Sequence, residues 1–332
     1  MMLWMKRRRF LLAGSLFIAS APLFAQGARR FRVACLWAND PESIVSLEKA
    51  FVDGLRDLGY VAGRNIVLEM RYARGDNSRL AALADELIAL KPDVVVGIES
   101  VGVTMRKKTT TVPIVLIAAP DPVAAGLVRS LARPGTNVTG LAYRLDELIA
   151  KHIEILTEIT PGMSRVALLD YAAAVGDPGQ PGVMRNERYA RTAAGARGLD
   201  LVVARMRDSA TLREAFSELE RARPGGLVVA ANAATYRLRS EIVREARRSK
   251  LPSVSSLPWA DAGGVIAYGP DWPANYRYAA TFVDRILKGA NPADLPLEHP
   301  GSFEVVVNMR AAREIGITIP SSIALRANRI IE

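Results

Sequence analysis

Cysteine occurs once in the 332 residues and histidine twice. A lone thiol, Cys35, excludes a disulfide framework and any cysteine-based zinc or iron–sulfur centre. Two histidines, His152 and His299, exclude a histidine-rich metal site. Aromatic residues make up 6% of the chain, and no basic stripe interleaved with them occurs, so a nucleic-acid partner is not expected. Glycine is missing where a nucleotide would need it. Residues 37–43, after the first expected strand, contain none, which removes the GxGxxG turn of a dinucleotide site. No GxxxxGK[ST] phosphate loop and no GxSxG nucleophile elbow occur. Gly176, Gly179 and Gly182, spaced with Pro178 and Pro181, read as a loop. No catalytic residue, metal or cofactor is therefore assigned.

Charge is present in excess of one sign, with 44 basic and 34 acidic residues and a net of +10. Met1–Ala25 holds Lys6, Arg7, Arg8 and Arg9 and no acid, so the remaining 40 bases face 34 acids for a net of +6. That mixture is a solvated surface with a mild preference for anionic ligands or membrane faces. Residues 1–25 themselves have the form of a secretory signal peptide: the basic run, an apolar stretch from Phe10 to Phe24, and a small-residue exit at Ala25. The apolar stretch is shorter than the ~20 residues of a spanning helix and contains Pro22. Arg7-Arg8-Arg9-Phe10-Leu11 also resembles a twin-arginine motif, so Sec and twin-arginine routes both fit. A retained, anchoring leader is the other reading. No later stretch is apolar for 18 residues.

The rest reads as strands alternating with helices. Short apolar runs rich in β-branched residues recur from Phe31–Trp37 through Ile66–Tyr72, Asp93–Glu99, Ile114–Ala119 and Val138–Ala142, and again from Arg165–Leu169 to Phe303–Asn308. Most are continuously apolar, as in strands buried on both faces. Between them, Ile44, Leu47, Phe51, Leu55 and Leu58 form one helical stripe, with Asp40 as cap, Pro41 in the first turn and Gly59 at the end. Further helices are expected over Arg79–Leu90, Val123–Ala132, Glu147–Ile159, Arg185–Arg197, Thr211–Ala222, Arg237–Arg248 and Ala274–Leu287. This succession predicts an α/β protein with parallel sheets covered on both faces. A new series of strand–helix units begins at Arg165, and the chain later returns, so two lobes joined by several crossings are expected.

Ligands of open parallel sheets bind beyond the carboxyl ends of the strands. Those ends carry Trp37 and Asn39, Glu99 and Ser100, Asp121, and Tyr143 in the first half, and Asp170 and Tyr171, Asn232 and Thr235, and Ser256 in the second. Asp121, Thr235 and Ser100 serve equally well as helix caps. The aromatic residues suit either a core or a stacking surface. Together, hydroxyls, amides and aromatics fit an uncharged or zwitterionic small ligand. Cys35 reads as a buried small hydrophobe and His152 as a solvated helical histidine.

Several ordered motifs carry a family resemblance. They are Asp53-Gly54-Leu55-Arg56-Asp57-Leu58-Gly59-Tyr60 with Gly63-Arg64-Asn65-Ile66, Leu131-Ala132-Arg133-Pro134-Gly135-Thr136-Asn137-Val138-Thr139-Gly140, Tyr268-Gly269-Pro270-Asp271, Ile286–Pro296 and Gly316-Ile317-Thr318-Ile319-Pro320. The chain resembles ABC-transporter substrate-binding proteins related to tryptophan/tyrosine transport systems. The resemblance implies a periplasmic binding protein of type I: two Rossmann-like lobes joined by three crossings, lobe 1 over 31–142 plus 269–302 and lobe 2 over 143–268 plus 303–332. It implies no enzyme, but a monomeric, periplasmic receptor that captures a small solute, an amino acid or related carboxylate, and delivers it to ABC permease membrane subunits. Trp37, Asn39, Ser100 and Asp121 would form one wall and Tyr171, Asn232, Thr235 and Ser256 the other, with Tyr143 and Tyr268 near the crossings. The chain departs from the family pattern at Ala230–Thr235 and at Leu257-Pro258-Trp259, which leaves the solute open. The alternatives are a ligand-sensing domain of a membrane-associated or regulatory system and a Rossmann-like enzyme.

Overall fold

The computed structural model describes residues 30–171, 181–299, 301 and 303–332. The expected signal peptide lies outside them. In chain order the first series is β1 (Phe31–Trp37), α1 (Pro41–Asp57), β2 (Ile66–Tyr72), α2 (Leu80–Ala89), β3 (Val94–Ile98), α3 (Glu99–Lys108), β4 (Ile114–Ala119) and β5 (Val138–Ala142). The second is α4 (Leu145–Ile159), β6 (Arg165–Tyr171), α5 (Pro181–Gly195), β7 (Asp200–Met206), α6 (Ser209–Ala222), β8 (Gly226–Val229), α7 (Ala233–Arg237), α8 (Arg239–Arg248), β9 (Ser253–Ser255) and β10 (Ile266–Pro270). The chain closes with α9 (Trp272–Leu287), β11 (Phe303–Asn308), α10 (Met309–Ile315), α11 (Ser321–Ala324) and β12 (Arg329–Ile331).

The strands form two sheets, β2-β1-β3-β4-β5 and β12-β11-β10-β9-β8-β6-β7. Each centres a lobe. Among the described residues the sheets are parallel, as expected, apart from β10 with β11, which pair antiparallel. Period-two alternation sends β1 side chains to opposite layers. Val33, Cys35 and Trp37 pack with Phe51 of α1 and Phe282 of α9, whereas Ala34 and Leu36 pack with Leu80 and Leu87 of α2. Cys35 is fully buried, as expected.

The chain passes between the lobes three times. After β5 it enters α4, whose Leu148, Ile153 and Leu156 join the core under β6, β8 and β9. After β10 it returns as α9, which lies on α1. The following segment stays on the first lobe, where Leu297 N donates to Leu131 O and Glu298 N to Gly140 O; β11 then completes the second sheet.

Several expectations are corrected. Residues 123–132 form turns rather than a helix, because Gly126 adopts φ +69° directly after the first turn. Asp40 makes no side-chain cap bond to α1. The helix α10 and the strand β12 lie where none was expected. His152 is buried on the inner face of α4, where its Nε2 bonds the Tyr268 carbonyl at 2.7 Å. Burial lowers its pKa to about 4. Among the described residues no helix is long and apolar enough to cross a membrane.

Candidate functional site

The carboxyl ends of the two sheets face each other across a cavity of about 220 Å³. The first lobe contributes Asn39, beyond β1, and Ser100, in the first turn of α3. The second contributes Asn232 and Thr235 at the start of α7 and Ser256 beyond β9. Aromatic side chains stand at two of the crossings. Tyr143 follows β5, Trp272 opens α9, and their rings meet edge to face with centroids 6.0 Å apart.

Local chemistry fixes the second wall. Asn232 and Thr235 form a reciprocal capping box: Thr235 N donates to Asn232 Oδ1 at 3.0 Å, and Asn232 N donates to Thr235 Oγ1 at 3.1 Å. Such boxes satisfy two of a helix's orphan donors, so the Thr235 hydroxyl is largely spent on the backbone. Behind it lies Asp170, fully buried at the end of β6. Asp170 accepts from Asn232 Nδ2 and Asn186 Nδ2, each at 2.9 Å, and from Tyr171 N at 2.7 Å. Burial raises its pKa to about 7, against the opposing pull of those bonds. Asp170 therefore positions Asn232 rather than facing a ligand.

Polar contacts link the two lobes across the cleft. Arg185 Nη2 of α5 lies 2.5 Å from Glu99 Oε1, and Glu99 Oε2 accepts from Asp121 N at 3.0 Å. Tyr189 Oη donates to Asp121 Oδ2 at 3.1 Å, and Tyr236 Oη donates to Ser43 O at 3.1 Å. Burial beside Glu99 pushes the Tyr143 phenol well above its ordinary pKa, so it stays protonated at neutral pH.

Of the residues expected to line the cleft, Asn39, Ser100, Tyr143, Asn232, Thr235 and Ser256 come together at this cavity. Four do not. Trp37 is a core residue, 1% exposed, packed edge-on against Phe51 and tilted against Tyr276. Asp121 spends its carboxylate on its own turn, accepting from Ala124 N at 3.0 Å, and on Tyr189. Tyr171 packs with the core between β6 and α6. Tyr268 lies mid-strand in β10 opposite Val305, with its ring against Phe303 and His152. The sequence reading passed over Trp272, Tyr276, Tyr236 and Arg239, which do border the cavity. Trp272 had a readable signal, because it directly follows the Tyr268–Asp271 motif at a crossing. The helical position of Tyr276 had none.

Residues 33–331 match the family described as ABC transporter substrate binding protein. The chain belongs to that family. A tyrosine-binding protein of Clostridioides difficile (strain R20291) is 25% identical over 268 residues, which are 80% of this chain and 75% of the relative. A conserved domain protein of Vibrio cholerae O1 biovar El Tor superposes with a TM-score of 0.82 at 25% identity, covering 91% of this chain and all of the other. The ABC domain of Streptococcus pneumonia in complex with L-Trp superposes with a TM-score of 0.77 at 25% identity, covering 90% of this chain and all of the other. The family member thus has the two-lobed fold of type I periplasmic binding proteins.

Proposed function

We propose that the protein is the extracytoplasmic solute-binding component of an ABC importer, which captures a small solute between its lobes and delivers it to the permease subunits. The observation that carries this reading is the inter-lobe cavity. Its two walls come from different sheets, so a solute touching both stabilises the closed form over the open one. Shifting the balance from 1:99 to 99:1 takes about 5.5 kcal/mol of differential affinity. Asn39, Ser100, Asn232 and Ser256 supply polar contacts from both sides, and Tyr143 offers a flat face at a crossing. The tyrosine-binding relative and the neighbour holding L-Trp support an amino acid or a related carboxylate as the solute class. The bodies that move are 31–142 with 269–302 against 143–268 with 303–332. Residues 1–25 act as the export signal of a periplasmic protein, whose mature chain works as a monomer.

A thermal-shift screen over amino acids, aromatic acids and small carboxylates tests this reading. A solute at 100 times its Kd adds about 2.7 kcal/mol of stability and raises Tm. A folded sample that responds to no member of a broad library would overturn it.

A further inference from the structure

Arg239 opens α8 and borders the inter-lobe cavity. Its guanidinium lies 4.5 Å from the Tyr236 ring centroid, and its Nη1 donates to the Tyr236 carbonyl at 2.7 Å. Among the described residues no carboxylate forms an ion pair with it. Glu99 is the one carboxylate that the described residues bring to the cavity lining, and both its oxygens are engaged, one by Arg185 and the other by the Asp121 amide. The described lining therefore presents one uncompensated cation and no free anion.

A guanidinium held against an aromatic face and tied at one edge is pre-organised to bind a carboxylate through its free N–H groups. An ammonium in the same space would meet like charge and no unpaired carboxylate. The remaining lining is flat and weakly polar. Tyr143, Tyr236, Trp272 and Tyr276 offer ring faces or edges, and among the described residues the Ser100 and Ser256 hydroxyls have no hydrogen-bond partner. The Asn77 Oδ1 is buried and has no hydrogen-bond partner among the described residues.

We propose that the cleft selects small aromatic monocarboxylates lacking an α-ammonium group, with Arg239 as the carboxylate anchor. This deepens the solute-binding reading above and rests on it.

Calorimetric titration of the purified protein with matched pairs tests it: 3-phenylpropionate against L-phenylalanine, indole-3-propionate against L-tryptophan, and 3-phenylpropionamide as the compound without a carboxylate. The deaminated acids are expected to bind about tenfold or more tighter than their amino acids. Arg239→Gln should weaken the acids by about tenfold or more, as for loss of a charge-assisted pair, and leave the amide unchanged. Arg239→Lys should recover part of the loss, and circular dichroism verifies that both variants are folded. Amino acids that bind as well as or better than their deaminated acids, with affinities indifferent to Arg239→Gln, would overturn the inference while the solute-binding reading stands. Failure of every compound, here and in the broad screen, would overturn both.

Discussion

The Arg185 guanidinium of the second lobe meets the Glu99 carboxylate of the first at 2.5 Å, with neither side chain more than 9% exposed. Both groups regain water when the lobes part. The pair therefore acts on the balance between open and closed forms more than on the fold of either lobe. Removing one partner leaves a buried charge without compensation in the closed form only. Arg185→Met should open the free protein, seen as a larger radius of gyration in small-angle scattering, and weaken solute binding by about tenfold or more. Glu99→Met combined with Arg185→Met should move both readouts back toward wild type. Unchanged scattering and affinity in the single variant would show that the pair plays no part in closure.

Asp170 gives the fold a dependence on pH. Its pKa is raised to about 7 in the native state, against an ordinary carboxylate value near 4. Between those values the unfolded chain has released the proton that the native chain keeps. The stability this group contributes is complete below pH ~4 and is lost as pH rises through ~7. Chemical denaturation of wild type and Asp170→Asn at pH 4.5 and 7.5 should show wild type losing a few kcal/mol more over that interval. Parallel behaviour of the two proteins would contradict the assignment.

His152 works in the opposite sense. Burial lowers its pKa to about 4, below the ~6.5 of an exposed imidazole. The stability it contributes is present above pH ~6.5 and is lost as pH falls through ~4. NMR of the imidazole should show a neutral ring at pH 6, and a midpoint near 6.5 would refute its burial in solution. Asp170 and His152 oppose each other between pH ~4 and ~6.5. A flat stability profile there reflects cancellation, which the single-site measurements separate.

Trp272 borders the cavity, whereas Trp37 is enclosed in the core of the first lobe. Solute binding should change tryptophan fluorescence, and Trp272→Phe should abolish most of that change while Trp37→Phe preserves it. The reverse pattern would place the solute elsewhere.

Much of this architecture was legible because buried strands must be apolar. The runs at Ile114–Ala119 and Val138–Ala142 became β4 and β5 without change. The end of β9 was legible at Ser256 but its extent was not, because its residues are Ser253, Val254 and Ser255; Ser255 Oγ donates to Val229 O at 2.8 Å and Trp259 Nε1 to Ser253 Oγ at 3.2 Å, so the polar atoms are satisfied inside the sheet. α3 was announced only by Ser100 as a cap, because Gly102 and the run of bases at its end obscure its apolar stripe. At the cleft, proximity to a strand end identified Asn39, Ser100, Asn232 and Ser256 as cavity residues. The same rule misplaced Trp37, because position along a strand does not give the face on which a side chain emerges. The Glu99–Arg185 contact joins residues 86 apart in the chain, and no local pattern announces it.

The packing of α9 on α1 has a consequence for biosynthesis. Phe51 and Trp37 remain without their covering residues, Phe282 and Tyr276, until α9 has been made more than 200 residues after α1. The core of the first lobe therefore cannot be complete before α9 is available. A product truncated before Trp272 would leave the amino-terminal sheet with an uncovered greasy flank, a natural target for chaperones and proteases during synthesis.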